Sequence, residues 1–240
     1  MASVTKAFTI LTCVGGEGSN GLPFAEIVRR TGIPKASTHR LLKEMVAIGA
    51  LTFDISTKCY RCGLLLARLG AGVTAAYDIR TMVRPYLEEL QKVTGQVATL
   101  GILNGNEGVY LEKVESSDFG LRLHSEIGKA FPLHATAMGK ILLAFVDGVV
   151  IQKKLTSYTD KTIIDHAMLR AECNRVRKQG FAIDNEEITR GLVCIAAPVF
   201  GVDGKCAGAI SCTAPSYILE DDTADIIKAT VIKQAARASL

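Results

Sequence analysis

In the first part of the chain the apolar positions repeat at helical spacing in short blocks, each closed by a glycine or opened by a proline. Val4, Phe8, Leu11 and Val14 share one face of a predicted helix that Gly15-Gly16 stops. A second helix covers residues 23–30, with Pro23 in the first turn, where its missing N–H costs nothing. Thr31-Gly32-Ile33 predicts a tight turn, Gly32 supplying the backbone freedom. The third helix spans 34–48 and ends at Gly49; Thr38, Leu41, Leu42 and Met45 form its buried stripe at i, i+3, i+4 and i+7. Two short strands, 50–53 and 58–62, flank the polar turn Asp54-Ile55-Ser56-Thr57. Helix, glycine turn, helix and hairpin, in that order, outline a winged helix-turn-helix.

Further on, Ile79, Met82, Val83, Tyr86, Leu87, Leu90 and Val93 mark a helix over about 74–94, stopped by Gly95 and kinked or divided at Pro85. It reads as a linker whose apolar stripe serves either as a dimer seam or as packing on its own domain. Beyond Gly95 the spacing changes. Strands are predicted over 96–103 and 109–116 around Asn104-Gly105-Asn106-Glu107-Gly108, then over 121–127, 181–184, 194–200 and 206–213, the last two joined at Val202-Asp203-Gly204-Lys205. Helices fall over about 135–145, 165–179 and from 221 onward. Hairpin-joined strands with helices grouped around them describe an antiparallel α+β domain. The division is therefore 1–68 for the head, 69–94 for the linker helix and 95–240 for the second domain, within a chain of 240 residues.

Charge sharpens the picture. Residues 1–68 carry nine basic and four acidic groups, a net +5, which leaves −1 for the rest of a chain whose total is +4. A basic head on a near-neutral body suits a polyanion-binding module fused to something else. On the third helix, Ala36, His39, Arg40 and Lys43 lie opposite the buried stripe, flanked by Ser37 and with Lys35 at the N-terminal end; Lys58 and Arg61 occupy wing positions. Cationic and hydrogen-bonding groups that reach phosphates and base edges, with a small residue allowing close approach, are what a DNA groove requires. Each of these side chains could alone be the solvated side of an amphipathic helix; their joint order and spacing favours duplex DNA.

Seven scattered cysteines and no leading signal segment predict free thiols in a reducing cytosol, hence a soluble cytoplasmic protein. Cys59 and Cys62 make a single C-x-x-C pair with no second pair to complete a zinc site. No metal and no cofactor are expected.

Three stretches resemble the IclR family of transcription regulators. Ile27-Val28-Arg29-Arg30-Thr31-Gly32-Ile33-Pro34-Lys35 with His39-Arg40-Leu41-Leu42 is similar to its DNA-reading helix pair. Phe131-Pro132-Leu133-His134-Ala135-Thr136-Ala137-Met138-Gly139-Lys140 is similar to its Pro-Leu-His…Gly-Lys segment. Gly180, Asp184, Glu187, Cys194-Ile195-Ala196 and Phe200 match the spacing of its C-terminal signature, with Gly201 a departure. Ala36 and Thr38 stand where the family more often has Ser and Val, which leaves the operator sequence open.

The resemblance implies a GAF-like sensing domain that binds a small organic-acid effector. It also implies a homodimer or tetramer on double-stranded operator DNA, switched between head spacings by the effector. If a helix begins near Ala135, the first-turn N–H groups of Ala137, Met138 and Gly139 form a carboxylate cradle along the helix dipole. Matching the family's pocket adds Asp184, Cys194, Ser211 and Thr213 as polar contacts and Leu192, Leu123 and Phe131 as the apolar wall. The alternative from another class is an enzyme with Cys194 as nucleophile, His134 as base and Asp184 as orienter. No phosphate loop, metal quartet or nucleophile elbow accompanies that trio.

Overall fold

The computed structural model describes residues 2–18, 20–76, 78–115, 125–217 and 223–239. The chain divides into two compact units, 1–77 and 78–240. The first contains α1 (Ser3–Gly15), β1 (Leu22–Pro23), α2 (Phe24–Thr31), α3 (Lys35–Ala47), β2 (Leu51–Asp54), β3 (Cys59–Cys62) and α4 (Leu64–Ala76). Its core joins Ile10 and Val14 of α1 to Leu22, Ile27, Ile33, Leu41, Leu42, Met45 and Leu51. The inward face of α1 differs from the predicted one: Val4 and Phe8 are 68% and 65% exposed. Ala7, Ile10, Leu11 and Val14 satisfy the same i, i+3, i+4, i+7 spacing and are the set that meets the core.

Pro23 keeps an extended ψ of 155° and pairs with Cys59, so α2 starts one residue later than predicted. Gly32 closes α2 at φ 65°, donating to the Val28 carbonyl. Thr38, fully buried, sends its hydroxyl back to the Ile33 carbonyl at 3.2 Å and so ties the turn to α3. The wing is the antiparallel pair β2–β3, with β1 on the far side of β3. At its tip Asp54 Oδ1 accepts the Ser56 N–H at 2.9 Å, the Ser56 hydroxyl at 2.6 Å and the Thr57 N–H at 3.3 Å. These donors, the Ser56 hydroxyl first, hold the Asp54 carboxyl well below the usual carboxylate range against the opposing effect of burial.

The second unit holds α5 (Asp78–Thr94), β4 (Val97–Asn104), β5 (Glu107–Val114), β6 (Ala130–Phe131), α6 (Ala137–Phe145), α7 (His166–Gln179), β7 (Ala182–Asn185), β8 (Leu192–Phe200), β9 (Cys206–Pro215) and α8 (Thr223–Ala238). The strands form one antiparallel sheet in the order β6-β5-β4-β9-β8-β7. Both faces are covered, which is why the strands read as near-continuous apolar runs. Val193, Ile195, Ala197 and Val199 of β8 and Ile210, Cys212 and Ala214 of β9 pack with Val83, Leu87 and Leu90 of α5 and Val231 of α8. The alternate positions Ala196 and Ala209 pack instead with α6 and α7. Period-two alternation thus puts Cys194, Ser211 and Thr213 on the α6 side.

The segment read as one linker is two helices, and α5 runs through Pro85 as a single element. Val83, Leu87 and Leu90 of its stripe are buried in the core of its own unit, which favours packing over a dimer seam for them, while Val93 stays 51% exposed. Asp165 caps α7 by accepting the Met168 N–H at 2.8 Å, and Gly180 ends it at φ 79°. The strand expected over 121–127 is not found in its described part, 125–127, and Leu123 lies outside the described residues. Among the described residues, no helix is long and apolar enough to cross a membrane, and no group of three or more metal-ligating side chains is found.

Candidate functional site

The outer side of α3 presents Lys35, Ala36, His39, Arg40 and Lys43 to solvent, with Ser37 half-buried. Arg40 reaches Glu44 at 3.1 Å, but both side chains are largely exposed, so this i,i+4 pair holds the guanidinium weakly. Among the described residues no carboxylate pairs with Lys35, Lys43 or Lys58. Arg29 and Arg30 are instead paired at the surface, both with Glu26 and Arg30 also with Glu17. Arg61 departs from its predicted role. It is half-buried, bound to Asp54 at 2.9 Å, with a buried Nε that has no acceptor among the described residues, so it braces the wing instead of reaching outward. Lys58 keeps its wing position, exposed and with φ 57°. Ile55, 74% exposed at the tip, went unnoticed because a turn residue carries no periodic signal.

In the second unit a cavity of about 200 Å³ opens between β5, β6, β8, β9 and the start of α6. Of the predicted residues, Phe131, Leu192, Cys194 and Thr213 line it. The sequence reading missed Tyr110, Ser125, Lys129, Thr136, Ile188 and Thr189. The Ser125 hydroxyl is buried and unpartnered among the described residues. Among the described residues of the lining, Lys129 is the one cation and no carboxylate is present. Phe131 tilts against Tyr110 at 4.8 Å between ring centres. Its ring occupies space over Gly101 and Gly108 that a Cβ at either position would invade.

The remaining predicted residues stand behind this lining. Thr136 caps α6, accepting the Gly139 N–H at 3.1 Å, which removes that N–H from the cradle and leaves those of Ala137 and Met138. Gly139 serves close packing: a Cβ there would collide with the Leu133 backbone. Ser211 is committed to Thr99 at 2.7 Å, and the Thr99 hydroxyl also approaches the Met138 sulfur at 3.8 Å. Cys194 lies 3.0 Å from the Thr213 hydroxyl, and burial, with the nearby Asp184 charge, pushes its thiol far up. Such a thiol is a poor nucleophile. His134 lies elsewhere, with Nε2 on the Thr156 carbonyl at 2.9 Å. Cys194, His134 and Asp184 therefore make no hydrogen-bonded triad.

Asp184 is 1% exposed and accepts the Glu187 N–H at 2.7 Å through Oδ1, while Oδ2 is unpartnered among the described residues. Burial is the largest cause of its shift, opposed in part by that N–H, and the Glu187 carboxylate adds to it; the group is pushed up to about 7. A carboxyl raised in the folded state keeps a proton that the unfolded chain has released. The stability it contributes is therefore complete below about pH 4 and is lost as pH rises through about 7. Denaturation of the wild type should show a fall of up to about 4 kcal/mol across that window relative to Asp184→Asn. Parallel pH profiles for the two proteins would refute this.

A family model described as "Bacterial transcriptional regulator IclR C-terminal" matches residues 71–240, and "IclR helix-turn-helix domain" matches 3–54. The chain is 33% identical over 224 residues to the HTH-type transcriptional regulator XynR of Escherichia coli, covering 91% of this chain and 88% of that protein. Among solved structures, the Thermotoga maritima IclR superposes with a TM-score of 0.75 at 26% identity, over 98% of this chain and 96% of that one. An IclR homologue from Microbacterium hydrocarbonoxydans, complexed with 4-hydroxybenzoate, shares the fold at a TM-score of 0.82 and 20% identity, over 99% and 98% of the two chains.

Proposed function

The chain belongs to the IclR family of DNA-binding transcriptional regulators, and on that premise we propose that a small organic acid bound in the second unit controls its affinity for operator DNA. The observation that carries this reading is Lys129 in the wall of a cavity whose other described lining residues are hydroxyl-bearing or apolar, with no carboxylate among the described ones. A cation, the α6 N-terminus beside Thr136 and the hydroxyls of Ser125, Thr189 and Thr213 suit a carboxylate with further polar substituents. Tyr110, Phe131, Ile188 and Leu192 suit its carbon skeleton. The bound 4-hydroxybenzoate of the Microbacterium homologue is an acid of this kind. A homodimer or tetramer would set two heads on a pseudopalindromic operator, and the effector would shift the population between head spacings that fit it well or badly.

The test is a duplex selected from random sequence by the purified protein, titrated in the presence of a panel of small carboxylates. At least one acid should change duplex affinity. Lys129→Ala should weaken that acid's binding by roughly tenfold and leave acid-free duplex affinity unchanged. An acid response unaltered in Lys129→Ala would remove the pocket from the mechanism.

A further inference from the structure

A second cavity, of about 210 Å³, lies beside the first and shares Ala130, Phe131 and Pro132 with it. Its chemistry is the reverse. Among the described residues of its lining, Glu107 is the one carboxylate and there is no lysine and no arginine. Glu107 is exposed, and among the described residues no cation is paired with it. Asn106 already accepts the Val150 N–H at 3.3 Å. His134, 7% exposed, has its Nε2 2.9 Å from the Thr156 carbonyl oxygen. A carbonyl can only accept, so Nε2 donates to it, and a ring that carries this hydrogen alone offers Nδ1 as an acceptor. Leu143, Ile151, Leu155 and Phe131 supply the apolar part. An apolar cavity of about 150 Å³ holds benzene; this one has room for a ring and one substituent.

An anion entering here would meet a carboxylate and no compensating cation. A planar cation would meet the Glu107 carboxylate, an acceptor nitrogen and an apolar bed for its ring. We propose that this cavity is a second small-molecule site, selective for a compact planar organic cation, with Glu107 and His134 receiving its N–H groups. The site is separate from the acid pocket in its charge preference and joined to it through three common wall residues.

Benzamidine, benzamide and benzoate have nearly the same shape and differ in charge, so they serve as probes in calorimetric titrations of the full chain. Benzamidine should bind saturably and more tightly than benzamide. Glu107→Gln, at an exposed position that leaves the thermal midpoint in place, should weaken benzamidine by about fivefold and benzamide not at all. Lys129→Ala should leave benzamidine binding unchanged, which separates this site from the acid pocket whether or not the latter reading holds. Crystals soaked in benzamidine should show the amidinium beside His134. Absence of saturable benzamidine binding, an equal loss of benzamidine and benzamide in Glu107→Gln, or density at another place would each overturn the proposal.

Discussion

Replacing Lys35, Arg40 and Lys43 together by alanine is expected to abolish binding to the selected duplex while the protein stays folded. All three side chains are exposed on the outer side of α3, and the one ion pair among them, Arg40 with Glu44, is a solvated i,i+4 pair of small worth. Their loss should therefore move stability by no more than about 0.5 kcal/mol. On DNA each cation that meets a phosphate contributes about one unit to the slope of log affinity against log salt, and one that meets a base edge contributes about 1–3 kcal/mol. Three removed at once should lower affinity by roughly a thousandfold or more and flatten the salt dependence by up to about three units. Arg29→Ala, which breaks only a tie to Glu26, is the control and should change little. Fluorescence anisotropy at several salt concentrations reads both quantities. A triple variant that keeps its salt slope would mean that α3 is not the reading element.

The largest effect on stability is expected at Lys140. It is 1% exposed, and its ammonium donates to the Ile183 carbonyl at 2.8 Å and to the Glu187 carboxylate, with Glu172 at 3.9 Å. It lies on α6 and its carbonyl partner on β7, so one side chain ties the helix to the sheet edge. Lys140→Ala leaves the buried Glu187 side chain without the Lys140 ammonium, and breaking a buried ion pair from one side costs about 3–5 kcal/mol. That is a large share of the stability of a typical domain. Lys140→Met with Glu187→Leu removes both charges and should recover most of the loss, since an apolar pair of similar volume is often as stable. Urea titrations of the three proteins provide the comparison. A single variant within about 1 kcal/mol of wild type would show that the pair contributes little.

The legible parts of this chain are those where function follows local spacing. Thr38, Leu41, Leu42 and Met45 fix which side of α3 is buried, and Lys35, Ala36, His39, Arg40 and Lys43 are then exposed by arithmetic alone. Period-two alternation likewise places Cys194 and Thr213 on one side of the sheet. Arg61 shows where such reasoning stops. Its place on the wing is visible from the hairpin, but its capture by Asp54 depends on cross-strand geometry that spacing does not encode. The proposed acid pocket is harder still. Tyr110, Ser125, Lys129 and Thr189 come from separate strands and loops, and no periodicity connects them. In α1 two overlapping patterns compete, and the choice of Ala7, Ile10, Leu11 and Val14 over Val4 and Phe8 is made by the neighbours the helix meets.

The Phe131 ring, admitted by the bare backbones of Gly101 and Gly108, acts as a partition between two chambers. Its bulk limits how much each chamber can hold, and its contact with the Tyr110 ring fixes one wall of the first. Trading that ring for a smaller side chain would merge the compartments into one elongated trough with an ammonium at one end and a carboxylate at the other. A zwitterion would then suit a space that we propose takes two separate guests, which puts a different chemical class of ligand within one substitution of this scaffold.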